Sequence, residues 1–154
     1  MASGAPDYYS RVDVAIQALS EMVVRPKFGG ALMEAGSMEV VANIANPLVA
    51  VAGKGMIYGG VLWLDNTSTQ ANSEAQLWLD GTNLNNLSFL RLRDYGLDNP
   101  RSTVVTIKKY DPTNFIYSAG FSYGLTFDAV LSLMYREQHG VTPTVHWRLV
   151  YTLL

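Results

Sequence analysis

The tetrapeptide Leu-Trp-Leu-Asp occurs at residues 62–65 and again at residues 77–80. Each copy is a short, bulky segment built from residue types that favour β-strands. The intervening residues 66–76 are mostly Asn, Thr, Ser, Gln and Ala, which predicts a solvated loop. The pattern therefore predicts a strand, a loop and a strand, of the size expected for antiparallel neighbours. If the two copies pair directly, Asp65 and Asp80 lie at opposite ends of the ribbon and form no catalytic pair.

On both sides of this repeat, short apolar segments alternate with turn signals. Upstream, segments 38–44, 48–52 and 56–65 are separated by Asn46-Pro47 and by Gly-rich residues 53–55. Downstream, we predict strands within residues 101–110, 115–125, 126–136 and 145–153, whereas residues 83–95 fit either one or two helical turns or an irregular crossing strand. A count of about seven to nine short strands predicts an all-β fold, an antiparallel sandwich or barrel.

One segment near the N-terminus has helical periodicity. Residues 11–24 place an apolar stripe on one helix face, Ser10 is at the N-cap position, and Pro26 ends the segment. We predict one N-terminal α-helix within an attachment or packing element at residues 1–36, followed by the β-sandwich at residues 37–154. A lone helix of about four turns is marginal in water, so its stripe must pack on its own domain or on a partner chain. The stripe consists of Val12, Ile16, Leu19 and Val23.

Composition limits the classes of partner. The 154 residues are 49% hydrophobic and 16% charged with a net charge of −2, which fits one globular domain with a weakly charged surface. The basic residues are scattered, so we expect no nucleic-acid partner. No apolar run approaches the roughly 20 residues of a membrane span, and residues 1–9 lack a signal-peptide pattern, so we expect no membrane partner. The absence of cysteine excludes disulfides and thiolate metal sites.

Residues that could carry catalysis are few and dispersed. The two histidines, His139 and His146, fit no metal-ligand spacing, and the sequence contains no nucleophile elbow and no calcium loop. We therefore expect no enzyme activity, no metal and no cofactor. We also predict that replacing either histidine by alanine leaves the biological activity largely intact.

Aromatic residues crowd one third of the chain. They either fill the sandwich core and a subunit interface or line a platform that contacts a glycan. These residues are Tyr110, Phe115, Tyr117, Phe121, Tyr123 and Tyr135.

The segment 127–135 is apolar on both of its faces, because even its outward positions include Val130 and Met134. A second buried face implies a partner, which is either the N-terminal helix or another copy of the chain. We therefore predict a stable homo-oligomer, with a trimer as the favoured state.

Three segments resemble small jelly-roll proteins of tailed-bacteriophage virions: residues 53–60 (Gly-Lys-Gly-Met-Ile-Tyr-Gly-Gly), the turn Asp80-Gly81, and residues 143–151 (Pro-Thr-Val-His-Trp-Arg-Leu-Val-Tyr). Those proteins belong to a broad group of trimeric, tumour-necrosis-factor-like sandwiches that decorate capsids or form tail-tip and fibre heads. The resemblance covers residues 37–154. It implies a jelly roll, a homotrimer and a non-enzymatic structural role in a virion that is assembled in the host cytoplasm, with capsid or tail proteins as partners.

The N-terminal segment is the point at which the sequence departs from that group. Decoration proteins commonly carry an extended arm, whereas residues 8–25 have a helical pattern, so attachment to the capsid and attachment to the tail both stay open. The rival function is a carbohydrate-binding or receptor-binding module. In that case the aromatic residues, or the loops 66–76 and 94–101, would contact a host-surface glycan.

Overall fold

The computed structural model describes residues 30–64, 68–101 and 103–154, which form two antiparallel sheets and one short helix. The predicted N-terminal helix, with Val12, Ile16, Leu19 and Val23, lies outside the described residues. The elements in chain order are β1 (Leu32–Glu39), β2 (Ala45–Ala52), β3 (Gly55–Leu64), β4 (Glu74–Leu79), β5 (Thr82–Asn83), α1 (Phe89–Asp94), β6 (Val105–Asp111), β7 (Ile116–Phe121), β8 (Leu125–Phe127), β9 (Val130–Arg136) and β10 (Thr144–Leu153).

The first sheet has the order β1-β10-β3-β7-β6, with β8 paired to the start of β3, and the second has the order β2-β9-β4-β5. All described pairs are antiparallel. Successive strands β1 to β4 alternate between the sheets, and β9 and β10 return to lie beside β2 and β1. This connectivity is that of a jelly roll. The prediction of an all-β antiparallel sandwich is confirmed.

The core lies between the two sheets and draws on both. Leu62 and Leu149 of the first sheet and Leu77 and Leu133 of the second are completely buried. Each such side chain contributes about 1.5–3 kcal/mol when it leaves water. The core is therefore what holds the two sheets together.

The strands that carry the two copies of Leu-Trp-Leu-Asp lie in different sheets, so the two copies do not form the direct ribbon considered above. Residues 62–64 of the first copy end β3, which pairs with β10, β7 and β8, and residues 77–79 of the second end β4 in the opposite sheet. Both copies have the same orientation, because their leucines are buried and Trp63 and Trp78 point away from the core. The repeat specifies only the alternation of buried and outward side chains, and a strand in either sheet can have this alternation. The partner of each strand is set by the chain connections.

Two strand boundaries also differ from the prediction. β1 begins at Leu32, within the predicted attachment or packing element at residues 1–36, and Gly36 suits it there because a Cβ would lie 2.6 Å from the Trp147 ring. β2 runs through Asn46-Pro47, which was predicted to be a break. Proline is accommodated because β2 is an edge strand and its register shifts between Pro47 and Val49. Within residues 83–95, α1 confirms the helical alternative.

Candidate binding face

The outward side of β4 carries a chain of hydrogen-bonded polar side chains. Ala75, Leu77 and Leu79 turn into the core, so Glu74, Gln76 and Trp78 take the other side of the strand. Trp78 Nε1 donates to Gln76 Oε1 at 3.3 Å, and Gln76 Nε2 donates to Glu74 Oε2 at 2.6 Å. We call these three residues the β4 ladder.

A cavity of about 190 Å³ lies at the Glu74 end of the β4 ladder. It is open to solvent, and all the side chains that line it are polar. They come from the loop before β4 and the first residue of β4, from the segment that leads into α1 and α1 itself, and from the residues after β9. The lining residues are Asn72, Glu74, Asn86, Ser88, Arg91 and Gln138.

The fold fixes the walls of this polar cavity. Phe89 and Leu92 anchor α1 in the core, and the hydroxyl of Ser88 accepts from the N–H of Arg91 at 3.3 Å. On the opposite wall, the N–H of Gln138 donates to Ser73 Oγ at 3.1 Å. The lining side chains therefore project from backbone that is held on both sides.

Glu74 is the electrostatic centre of the polar cavity. Its side chain is only 9% exposed, and Gln138 Nε2 donates to Oε1 at 2.8 Å while Gln76 holds Oε2. Among the described residues, no basic nitrogen lies within 4.0 Å of this carboxylate. Buried carboxylates in proteins are normally paired with a cation. Here two neutral amides donate to the carboxyl oxygens instead, and each oxygen keeps acceptor capacity for a further donor.

A second hollow, of about 250 Å³, lies at the other end of the β4 ladder. Its lining is mainly apolar and consists of Trp78, Gly81, Val130, Ser132 and Met134. Trp78 is directly opposite Ser132 on β9, whose small side chain leaves the indole uncovered on that side. Trp78 and Glu74 are four residues apart on one strand, so their backbones are separated by roughly 13 Å along β4.

A buried polar network lies next to the polar cavity and fixes three loops. Tyr135 Oη donates to Gln70 Oε1 at 2.6 Å, and Ser73 Oγ donates to the same oxygen at 2.7 Å. Burial raises the pKa of Tyr135 above its ordinary value. Gln70 Nε2 lies 3.5 Å from Glu137 Oε1, which continues the network to a buried carboxylate.

The Glu137 carboxylate joins the loop before β2 to the loop before β10. It accepts backbone N–H donors from Asn43 at 2.8 Å, His139 at 2.6 Å and Gly140 at 2.9 Å. Burial alone would raise the pKa of Glu137, but the backbone donors outweigh it and the pKa lies below its ordinary value. The group is therefore a structural anion that organises this end of the sandwich.

The aromatic residues predicted as a platform or a core are divided by the structure. Tyr117 and Phe121 are in the core, and Tyr110 is half-buried with its ring edge-on to Tyr117 at 5.4 Å. Phe115 and Tyr123 are exposed, but they precede and follow β7 and so lie beyond its opposite ends. The structure does not bring these five residues together on one surface.

Most residues that line the two hollows along β4 were not predicted from the sequence. The predicted loop 66–76 does contribute Asn72 and Glu74, whereas the predicted loop 94–101 contributes no lining residue. Arg91 and Trp78 were not predicted. The sequence did contain a signal for this face. If the alternation of Leu77 and Leu79 is continued towards the N-terminus, Glu74, Gln76 and Trp78 fall on the opposite side of the same strand.

Both histidines make structural contacts. His139 Nε2 accepts the backbone N–H of Asn72 at 3.0 Å, and His146 stacks on Trp63 with ring centroids 5.3 Å apart. In residues 30–64, 68–101 and 103–154, no group of three or more His, Asp or Glu side chains could hold a metal ion. No helix in the same ranges is long and apolar enough to cross a membrane.

No family model and no curated protein matches the chain. Among solved structures, the chain is similar to a serine protease of Aeromonas sobria, with 10% sequence identity and a TM-score of 0.37. The match covers 88% of this chain, but the chain spans only 29% of that protein. A likeness at this level carries no argument about activity.

Proposed function

We propose that the chain is a non-enzymatic, self-associating structural component of a bacteriophage virion, attached to the capsid or to the tail. The observation that carries this proposal is the strand order β1-β10-β3-β7 facing β2-β9-β4-β5. It is the jelly-roll order that the resemblance in residues 37–154 implies.

The free side of β1 supports self-association. In the described ranges β1 pairs only with β10, so its other edge has no strand beside it. Leu32 and Met33 on this strand are 44% and 62% exposed. Long apolar edge strands are usually protected in monomeric proteins. A neighbouring subunit would cover both the edge and its apolar side chains, which fits the predicted homotrimer.

The contacts of the histidines support the absence of catalysis. His139 is occupied as an acceptor in the loop before β10, and His146 packs against an indole ring. We expect His139→Ala and His146→Ala to leave the biological activity largely intact wherever the fold is retained. A hydrolytic or lyase activity that disappears with either change in a folded protein would contradict this part of the proposal.

Two measurements test the structural role. Light scattering of the purified chain should give a mass about three times the monomer mass of 16.9 kDa. A monomer mass at micromolar concentration would contradict self-association. Antibodies against the chain should label purified phage particles in electron microscopy, and labelling confined to particle-free lysate would contradict the virion role.

Deleting residues 1–25 tests the predicted attachment element. If that segment attaches the chain to the virion, the truncated protein should melt cooperatively but fail to join particles. If it packs on the sandwich, the truncated protein should aggregate or melt at a lower temperature. Unchanged melting together with unchanged incorporation would contradict both roles.

One observation favours a second candidate function, the carbohydrate-binding module. A solvent-open polar cavity with a buried carboxylate lies on the same sheet face as an apolar hollow beside an indole ring. Retention of the chain on an array of immobilised oligosaccharides tests this function, and no retention would contradict it.

A further inference from the structure

We propose that the outer face along β4 binds a short neutral oligosaccharide, with Glu74 and Arg91 holding hydroxyl groups at one end and Trp78 stacking on a sugar ring at the other. This inference rests on the second candidate function. It assigns that function a site, a ligand class and an orientation.

The polar cavity combines donors and acceptors in the way that hydroxyl groups require. Glu74 offers acceptor capacity beyond its two amide bonds, and the Arg91 guanidinium supplies only donors. Asn72 and Asn86 add amides that both donate and accept. A hydroxyl group also donates and accepts, so a polyol can satisfy a mixed lining that a purely anionic or cationic ligand cannot.

The charges in the polar cavity favour a neutral ligand. Glu74 carries the single carboxylate in the lining, and Arg91 carries the single guanidinium. An anionic group attracted by Arg91 would also be repelled by the buried Glu74 carboxylate, and a cationic group attracted by Glu74 would also be repelled by Arg91. A neutral sugar meets neither repulsion, because its hydroxyl groups can donate to one and accept from the other.

The apolar hollow supplies the second contact. The Trp78 N–H is already committed to Gln76, so the indole presents its ring and not its polar edge to a ligand. Flat, carbon-rich surfaces pack well on aromatic rings, and sugar rings have one face lined by C–H groups. The backbones of Glu74 and Trp78 are roughly 13 Å apart along β4, so a ligand that contacts both side chains must be longer than a single sugar unit.

The β4 ladder holds this arrangement in place before a ligand arrives. The hydrogen bonds from Trp78 to Gln76 and from Gln76 to Glu74 restrict all three side chains. Gln138 restricts Glu74 from the other side. A site whose side chains are already ordered loses less conformational entropy on binding.

The probe is a printed array of neutral di-, tri- and tetrasaccharides, with sialylated and phosphorylated sugars on the same slide. We expect the full chain to retain neutral sugars, and we expect Trp78→Ala and Arg91→Ala each to weaken the best probe about tenfold or more. Trp78→Phe should restore most of the binding because it restores an aromatic ring. Trp63→Ala, which removes a half-buried tryptophan on the other sheet, is the matched control and should bind like the wild type.

Four outcomes would overturn the proposal. If Trp78→Ala and Arg91→Ala bind neutral sugars as the wild type does, the sugar site lies elsewhere and only the carbohydrate function is supported. Retention of anionic sugars alone would contradict the ligand class. A smaller mass for Trp78→Ala in light scattering would mean that a second copy occupies the hollow. No retention of any sugar would remove both the site and the carbohydrate function, whereas the virion role is decided separately by particle labelling.

Discussion

Replacing Glu137 by glutamine should destabilise the fold strongly. In the wild type Oε1 accepts the N–H of His139, and Oε2 accepts those of Asn43 and Gly140. A glutamine keeps one of the two oxygens and turns its NH₂ group towards at least one backbone N–H. These three hydrogen bonds are part-buried, so each donor left without an acceptor costs towards the lower end of the roughly 1–3 kcal/mol of a fully buried group, and the lost charge adds to this. We expect a loss of about 2–4 kcal/mol in the free energy of unfolding, which lowers the Tm by about 5–15 °C.

The same carboxylate should make the wild type sensitive to acid. Because the folded protein lowers the pKa of Glu137, its contribution is fully present above the unfolded pKa of about 4.3. That contribution is lost as the pH falls through the lower folded pKa, when the carboxylate is protonated. Urea unfolding at a series of pH values from neutral to acidic should therefore show a stability step in the wild type that Glu137→Gln lacks.

Glu34→Gln is the matched control, because Glu34 is an exposed glutamate on β1. We expect it to melt close to the wild type and to keep the acid-dependent step. The reasoning is refuted if Glu137→Gln melts like Glu34→Gln at neutral pH and keeps the full acid sensitivity of the wild type.

Three further changes test the packing and the turns. A Cβ at Gly55 would lie 2.1 Å from a backbone carbonyl oxygen of β10, so Gly55→Ala should lower the Tm or the soluble yield. Gly30→Ala, whose Cβ meets no atom of the described residues within 4 Å, should change neither. The Asp80 carboxylate accepts the backbone N–H groups of residues 128–130, and these bonds lower the pKa of Asp80. Asp80→Asn should therefore lower the Tm at neutral pH and weaken the acid dependence of the Tm. An unchanged Tm would contradict that role. Leu133→Ala, at a completely buried position, should cost about 2–5 kcal/mol in urea unfolding, and a loss below about 1 kcal/mol would contradict the assigned core.

Alternation made much of the sandwich predictable. Strands whose inner positions are apolar, such as β9 with Leu131 and Leu133, follow directly from period-two spacing. Pairing was harder, because alternation does not state which strand lies beside which. The two Leu-Trp-Leu-Asp copies look like neighbours in the sequence and belong to opposite sheets.

The candidate site was less predictable than the fold, for a different physical reason. Its residues come from three separate stretches of the chain, at 72–74, 86–91 and 138, and Arg91 reaches the same cavity as Gln138 only because the tertiary structure brings these stretches together. The buried Glu74 also runs against expectation, since a glutamate in a polar run predicts a solvated loop. Its burial depends on amides from Gln76 and Gln138, and such a tertiary arrangement leaves no local signal.

The position of β10 has a consequence for the order of folding. β10 lies between β1 and β3, and Leu32 pairs with Tyr151, so these contacts join residues on the order of a hundred positions apart. A ribosome produces β1 and β3 long before the strand that separates them. Until β10 is inserted, both strands have an unpaired edge that can recruit the wrong partner. Closure of the first sheet should therefore be a late and slow step, during which the unpaired strand edges expose the emerging chain to aggregation.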